Sequence, residues 1–322
     1  MVGPPPADGA DKGERWDVVS VSAEKKRRGG FLKREFGDPE RRTAYYMVLP
    51  ALLIILIVAF FPIMYAVVLS LTDSTVVQTG AFVGAANYVE MFQNPDFLEG
   101  LTNTAIFTVV SVTLEFLIGL GIALAINQAF KGRGLVRAAI LVPWAFPTVI
   151  SAVMWRLMFQ DQVGVINYVV NTLGIISQPI LSDRTLLLIA AIGVDVWKTT
   201  PFMALLLLAG LQTISADVYE AARVDGANIL QRFFRITLPL LKGTILVAVL
   251  FRTLDSYRIF DLFWAMSNRE LESLSTFVYK SVRVSQLLFA QGNAASVFIF
   301  VTSFLLALFF IYGLGMQTST EE

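Results

Sequence analysis

The chain has 322 residues, of which 56% are hydrophobic and only 16% charged, with 25 Lys and Arg balancing 25 Asp and Glu. Its mean hydropathy of +0.66 exceeds that of soluble domains and reads as an integral membrane protein. The absence of Cys and His excludes disulfides, zinc sites of the usual ligands and nucleophilic catalysis by either residue, and no GxxxxGK[ST] loop occurs, so any ATP coupling must come from another chain.

Residues 1–46 carry ten Lys and Arg, including Lys25-Lys26-Arg27-Arg28, Lys33-Arg34 and Arg41-Arg42. So long a polar stretch is not the short basic region of a cleavable signal. It is expected to be a disordered cytoplasmic tail whose basic clusters either graze anionic membrane lipid, at about 1 kcal/mol per residue, or have no specific role. Residues 47–71 form the first apolar run, long enough as a helix to cross about 30 Å of hydrocarbon with some tilt. Runs at 101–130, 135–159, 185–211 and 294–314 read the same way, whereas 240–266 is apolar only to Phe251 and then turns polar. The expected fold is therefore all-α, with six transmembrane helices in one domain over 47–315 and a short tail at 316–322.

Between the first and second runs lies FVGAANYVEMFQNPDFLEGLTNT, which reads as a Gly turn, an amphipathic interfacial helix and an Asn94-Pro95 turn. The third run opens LVPWAFP, and Pro143 and Pro147 are expected to bend or break it near its cytoplasmic end. Such a break either lines a cavity, as in transporters, or is a simple kink. Lys and Arg number 17 in the tail, the 131–137 link and the loop up to and including Lys242, against four in the opposite loops. That asymmetry places both termini and the long loop in the cytoplasm.

The long loop, DVYEAARVDGANILQRFFRITLP at 217–239, is a polar island between apolar runs. Asp217 with Glu220 suggests a capping box, Gly226 ends the short helix, a second short helix follows from Asn228 to Arg235, and Pro239 suits the first turn of the next span. On physical grounds this is either a docking element or an ordinary amphipathic loop helix. The spacing of Glu220-Ala221-Ala222, Gly226 and Ile236-Thr237-Leu238-Pro239 resembles the EAA loop of permease subunits of bacterial ABC importers. The resemblance implies that Glu220, Ala221, Ala222, Asp225, Gly226, Ile236, Leu238 and Pro239 sit in a cleft of an ATPase subunit and couple its closure to helix motion.

Charge inside the spans is the other sharp signal, at about 2.5–3.5 kcal/mol per charged side chain at the bilayer centre. Glu115 lies in the second span, Asp195 and Lys198 in the fourth, and Arg252, Asp255, Arg258 and Asp261 in the fifth. Helical spacing allows Asp195 to pair with Lys198, Arg252 with Asp255, and Arg258 with Asp261, while Glu115 would bond a neighbouring helix. Either these charges fix helix packing, with Glu115, Asp195, Arg252 and Asp255 as buried pairs, or they line a hydrated path. In the second case Trp197, Lys198, Tyr257, Arg258, Phe260, Asp261 and Trp264 are the candidate sugar contacts.

The outer-loop residues Gly84, Asn87-Tyr88, Phe97 and Asn103-Thr104, with VWKTTPFMALLLLAGLQTISADVYEAARVDGA, FRTLDSYRIFD and the run at Leu274–Tyr279, resemble the carbohydrate class of ABC permeases, the maltose and glycerol-phosphate type, over about residues 45–315. Within it the chain is most similar to the first permease of actinobacterial trehalose importers, through WKTTPF and the arginine-rich fifth span. The resemblance implies a permease of the bacterial cytoplasmic membrane that moves a di- or oligosaccharide, trehalose in the narrowest reading, inward by alternating access. It implies a second permease, two ATP-binding subunits holding ATP and Mg, and an extracytoplasmic sugar-binding lipoprotein. No cofactor, metal, catalytic residue or nucleic-acid partner is expected for this chain. Glycerol phosphate or another polar solute is the alternative cargo, and a membrane-embedded enzyme acting on a lipid-linked sugar is the alternative class.

Overall fold

The computed structural model describes residues 2–3, 39–175, 178–285 and 288–315. The expected disordered tail lies outside them up to residue 38, as does the tail at 316–322. Among the described residues every regular element is helical, with one isolated bridge between Thr72 and Phe82.

The chain divides after Ala59. Before that point the described residues form a single helix from Pro39, eight residues earlier than hydropathy alone places it, because proline suits a first helical turn. Residues 43–59 are exposed throughout, as suits an apolar helix whose surroundings are lipid or another chain. This helix continues to Ser70, and its apolar spanning part, Thr43–Ser70, is α1.

The second unit is the helical bundle. After α1 come α2 (Ala86–Gln93), α3 (Pro95–Asn127), α4 (Arg133–Ala145), α5 (Thr148–Phe159), α6 (Val165–Thr172), α7 (Arg184–Gln212) and α8 (Ala216–Val224). They are followed by α9 (Ile229–Tyr257), α10 (Asp261–Met266), α11 (Leu274–Tyr279) and α12 (Phe289–Gly313). The helix α2 is the expected amphipathic segment, tied to the end of α1 by Asn87 Nδ2, which donates to the carbonyls of Ser70 and Thr72 at 2.8 and 3.0 Å. Asn94 and Pro95 do not make a free turn. Asn94 accepts from the Asp96 amide as an N-cap and Pro95 is the first residue of α3, which moves the second span's start back from Leu101.

Helices α3 and α7 run parallel and form the core. Phe107 packs with Leu187, Leu188 and Ile192 in one cluster, and Leu120, Ala123 and Ile126 pack with Met203, Leu207 and Leu211 in another. The helix α9 runs the opposite way, from Leu241 in the second cluster to Tyr257 beside Phe97. It approaches α7 so closely at Gly210 that a Cβ there would lie 2.4 Å from Thr244 Oγ1, the small-residue contact on which membrane helix pairs depend.

The third apolar run breaks at Phe146 and Pro147, and its halves α4 and α5 meet at 86°. Both residues are extended, as expected for a proline and the residue before it. The break falls mid-segment instead of near the cytoplasmic end. At about 20 Å and 18 Å neither half spans a bilayer alone. Together they do. Ile140 packs with the C-terminal half of α7, Trp144 stacks on Phe202, Trp155 meets Trp197 and Phe159 joins Leu187 and Ile192. The segment thus crosses from one end of α7 to the other as a broken span, which with five unbroken apolar helices makes six crossings. The fifth span also departs from expectation: it ends at Tyr257, and α10 is a separate short helix after Arg258–Phe260.

Candidate functional site

The loop helix α8 is terminated by local geometry at both ends. Its N-cap is Ser215, whose Oγ accepts from the Asp217 amide at 3.3 Å, so the expected Asp217 capping box does not form. At its C-terminus Gly226 adopts φ 78°, with Gly226 N–H donating to Arg223 O and Ala227 N–H to Ala222 O. This is the Schellman arrangement, which needs a left-handed residue and so favours glycine. The capping box lies in the next helix, between Asn228 and Gln231. From there α9 runs unbroken to Tyr257, so the expected second short helix is in fact the first part of the fifth span. A π-helical turn at Phe233–Thr237 precedes Pro239 and accommodates its missing N–H within the helix. Glu220, Ala221, Asp225 and Gly226 are exposed, as are Val218, Val224, Ile229, Leu230 and Phe234. Ala222 is buried, Ile236 and Leu238 are half-buried and Pro239 is exposed.

In the middle of the bundle, α3, α7 and α9 are joined by a single guanidinium. Arg252 donates from Nε to Glu115 Oε2 at 2.6 Å and from Nη2 to Glu115 Oε1 at 2.8 Å, a forked pair. The same Nη2 lies 3.0 Å from Asp195 Oδ2 and 3.0 Å from Ser256 Oγ, and Nη1 pairs with Asp255. Thr199 Oγ1 adds a 2.6 Å bond to Glu115 Oε1. Arg252, Glu115 and Asp195 are buried, where an unpaired charge would be strongly destabilising.

Beside this network lies a two-lobed cavity. A polar lobe of about 170 Å³ includes Thr148, Asp195, Ser256, Phe260 and Asp261 in its wall. The adjoining lobe of about 440 Å³ is faced by Trp144, Phe202 and Phe251. Lys198, Thr199, Arg252, Asp255 and Arg258 line both. Lys198 has no hydrogen-bond or ion-pair partner among the described residues, and Arg258 donates only to the Leu254 carbonyl. Hydroxyl-binding groups, two uncommitted cations and aromatic faces thus converge beside the Arg252 network, where the break between α4 and α5 brings Thr148 to the wall.

A family model described as "binding-protein-dependent transport system inner membrane component" matches residues 117–317. The chain belongs to this family of importer permeases. It is 39% identical over 267 residues to the trehalose/maltose transport system permease protein MalF of Thermococcus litoralis, covering 81% of this chain and 90% of that one. It is 38% identical over 287 residues to the trehalose transport system permease protein SugA of Mycobacterium tuberculosis, covering 88% and 92%. Its fold matches a crystal structure of a bacterial ABC transporter that imports the polysaccharide alginate, with a TM-score of 0.76 at 23% identity over 89% of this chain and 99% of that one. The protein is therefore a multi-pass membrane permease of the sugar ABC importer class, a transport subunit.

The permease brings four of the seven candidate sugar contacts to the cavity wall, Lys198, Arg258, Phe260 and Asp261. Trp197 instead meets Trp155 edge to face at 5.3 Å, Tyr257 is buried with its hydroxyl 2.7 Å from Thr302, and Trp264 stacks behind Phe260. The expected partnership of Asp195 with Lys198 is replaced by that with Arg252, and Arg258 does not pair with Asp261. Asp255 does pair with Arg252, yet its side chain is 74% exposed, so it belongs to the cavity rim and not to a buried pair. Trp144, Phe202 and Phe251 were not anticipated. Trp144 stands three residues before Pro147, and that adjacency to the break is the one signal that marked it.

Proposed function

We propose that this permease carries a neutral disaccharide, trehalose or a close relative, into the cytoplasm by alternating access, with the two-lobed cavity as its share of the path. The observation that carries the reading is the composition of the cavity wall: aromatic faces beside carboxylates, hydroxyls and cations that largely neutralise one another. Pyranose rings present flat apolar faces and hydroxyl edges, which such a wall matches. The 38–39% identity to permeases named for trehalose and for trehalose and maltose supports the same cargo. Glycerol phosphate, the alternative cargo, would have to use Lys198 and Arg258, because Arg252 is already committed to Glu115, Asp195 and Asp255. A lipid-linked sugar enzyme would use Glu115, Asp195 or Asp261 as acid or base in a carboxylate pair, and Arg252 holds Glu115, Asp195 and Asp255, which leaves Asp261 without a free carboxylate partner on the cavity wall.

In this reading a second permease completes the cavity, two ATPase subunits bind ATP and Mg, and an extracytoplasmic binding protein delivers the sugar. Both termini and α8 face the cytoplasm, where the exposed Glu220 to Gly226 segment and the apolar side chains of Val224, Ile229 and Leu230 fit a cleft of the ATPase. Residues 47–315 act as the permease domain. The test is uptake of labelled trehalose by the complete importer in proteoliposomes. Saturable, ATP-dependent uptake competed by trehalose but not by glycerol phosphate supports the proposal, and uptake competed by glycerol phosphate alone refutes it.

A further inference from the structure

The aromatic cluster behind Phe260 is not explained by sugar contact. Phe260, on the polar lobe's wall, stacks on Trp264 with centroids 5.7 Å apart and 19° between planes. Tyr279 closes the group, 5.1 Å from Phe260 and 4.9 Å from Trp264. The guanidinium of Arg269 sits over the Trp264 ring, 4.9 Å from its centroid. Trp264 is thus covered by Phe260 and by Arg269, which leaves it no ready platform for a sugar ring.

Arg269 is held there by an unusual turn. Asn268 and Arg269 have φ values of 54° and 74°, and the Glu270 amide donates to the Ser267 carbonyl at 3.2 Å. Two consecutive left-handed residues inside that bond make a type I′ turn, in which asparagine suits the first position and glycine the second. Arginine at the second position is strained, and nothing in the backbone requires it. The turn is nonetheless anchored. Lys280 Nζ donates to the Arg269 carbonyl at 2.8 Å and pairs with the buried Glu272, and the Leu271 amide donates to Ser267 Oγ at 3.0 Å. The strained residue is the one whose side chain reaches Trp264.

We infer that Phe260, Trp264 and Tyr279 form the movable outer wall of the sugar path, and that Arg269 is the positioning residue that keeps this wall closed on the polar lobe. The inference rests on the reading of the cavity as the path. The cluster follows the C-terminal end of α9, which is the extracytoplasmic end in the orientation proposed above, so opening outward must part Trp264 from Arg269 or carry the rings away together. The cation–π contact then sets part of the balance between the closed and open states.

The chain has no cysteine, so Thr148→Cys places its only thiol in the polar lobe. The complete importer, in right-side-out vesicles, is exposed to a membrane-impermeant thiol reagent from outside and labelling of this chain is read by mass. The thiol should be protected without nucleotide and reactive with ATP trapped and binding protein present. Arg269→Gly suits the turn's backbone, so the subunit stays folded, yet labelling without nucleotide should rise about two- to five-fold, the size of one exposed cation–π contact. Trp264→Leu should raise it further, and Arg269→Lys should fall between Arg269→Gly and the parent. Parent-like protection in both Arg269→Gly and Trp264→Leu overturns the inference while leaving the path intact. A thiol unreactive in both states of the parent overturns the path itself, and the inference with it.

Discussion

The helix α8 and the Arg252 cavity are the two parts through which transport would run, and they are held together in opposite ways. Both ends of α8 are fixed within residues 215–227, by the Ser215 cap, the Gly226 turn and the bonds from Gly226 and Ala227 back into the helix, and one side-chain bond beyond them joins Tyr219 to Thr237 of α9 at 3.1 Å. The cavity depends on a guanidinium that reaches residues 137 and 57 positions away, Glu115 and Asp195. An element stabilised by its own few residues can be pushed as a rigid unit without unfolding. A cavity held by charges on three helices moves only if those charges remain paired or are rehydrated. Force can thus enter at α8 cheaply, while the middle of the bundle resists anything short of a concerted shift of α3, α7 and α9.

Breaking the cavity should have the largest effect. Arg252→Met leaves Glu115 and Asp195 buried without their cation and should destabilise the subunit by about 3–5 kcal/mol, read as loss of folded protein in thermal unfolding and in membrane yield. Breaking α8 should spare the fold and abolish coupling. Glu220→Lys should leave the unfolding curve unchanged while sugar-stimulated ATP hydrolysis drops to background, and normal hydrolysis would remove α8 from the coupling path. Removing one polar contact from the cavity wall is milder: Asp261→Ala should lower sugar transport about tenfold, equivalent to one charge-assisted hydrogen bond, with assembly intact. Smallest is Ser215→Ala, which should cost the α8 terminus about 1 kcal/mol, visible as faster amide exchange across α8 with little change in transport.

The same contrast explains what could be read from the sequence. The six crossings and the glycine turn of α8 were legible because hydropathy and caps act over short distances. Span ends were misplaced where a cap overrode hydropathy, as with Asn94 and Pro95 at the start of α3. The break after Tyr257 carries neither proline nor glycine within Arg258–Phe260 and left no trace. Charges inside the spans were recognisable, but their partners were not, because i, i+3 spacing favours Asp195 with Lys198 while packing brings Arg252 to Asp195. Nor does a helix apolar on nearly every side reveal its rotation, which is why Trp197 and Tyr257 were expected at the path and are found packed against Trp155 and Thr302.

The most direct test of the account is ATP hydrolysis by this chain purified in mild detergent with the subunits that accompany it. The account predicts hydrolysis that depends on those partners, rises when a trehalose-loaded binding protein is added and is lost with Glu220→Lys. Sugar uptake or sugar transfer by the chain alone, with no ATPase bound to it, would contradict it.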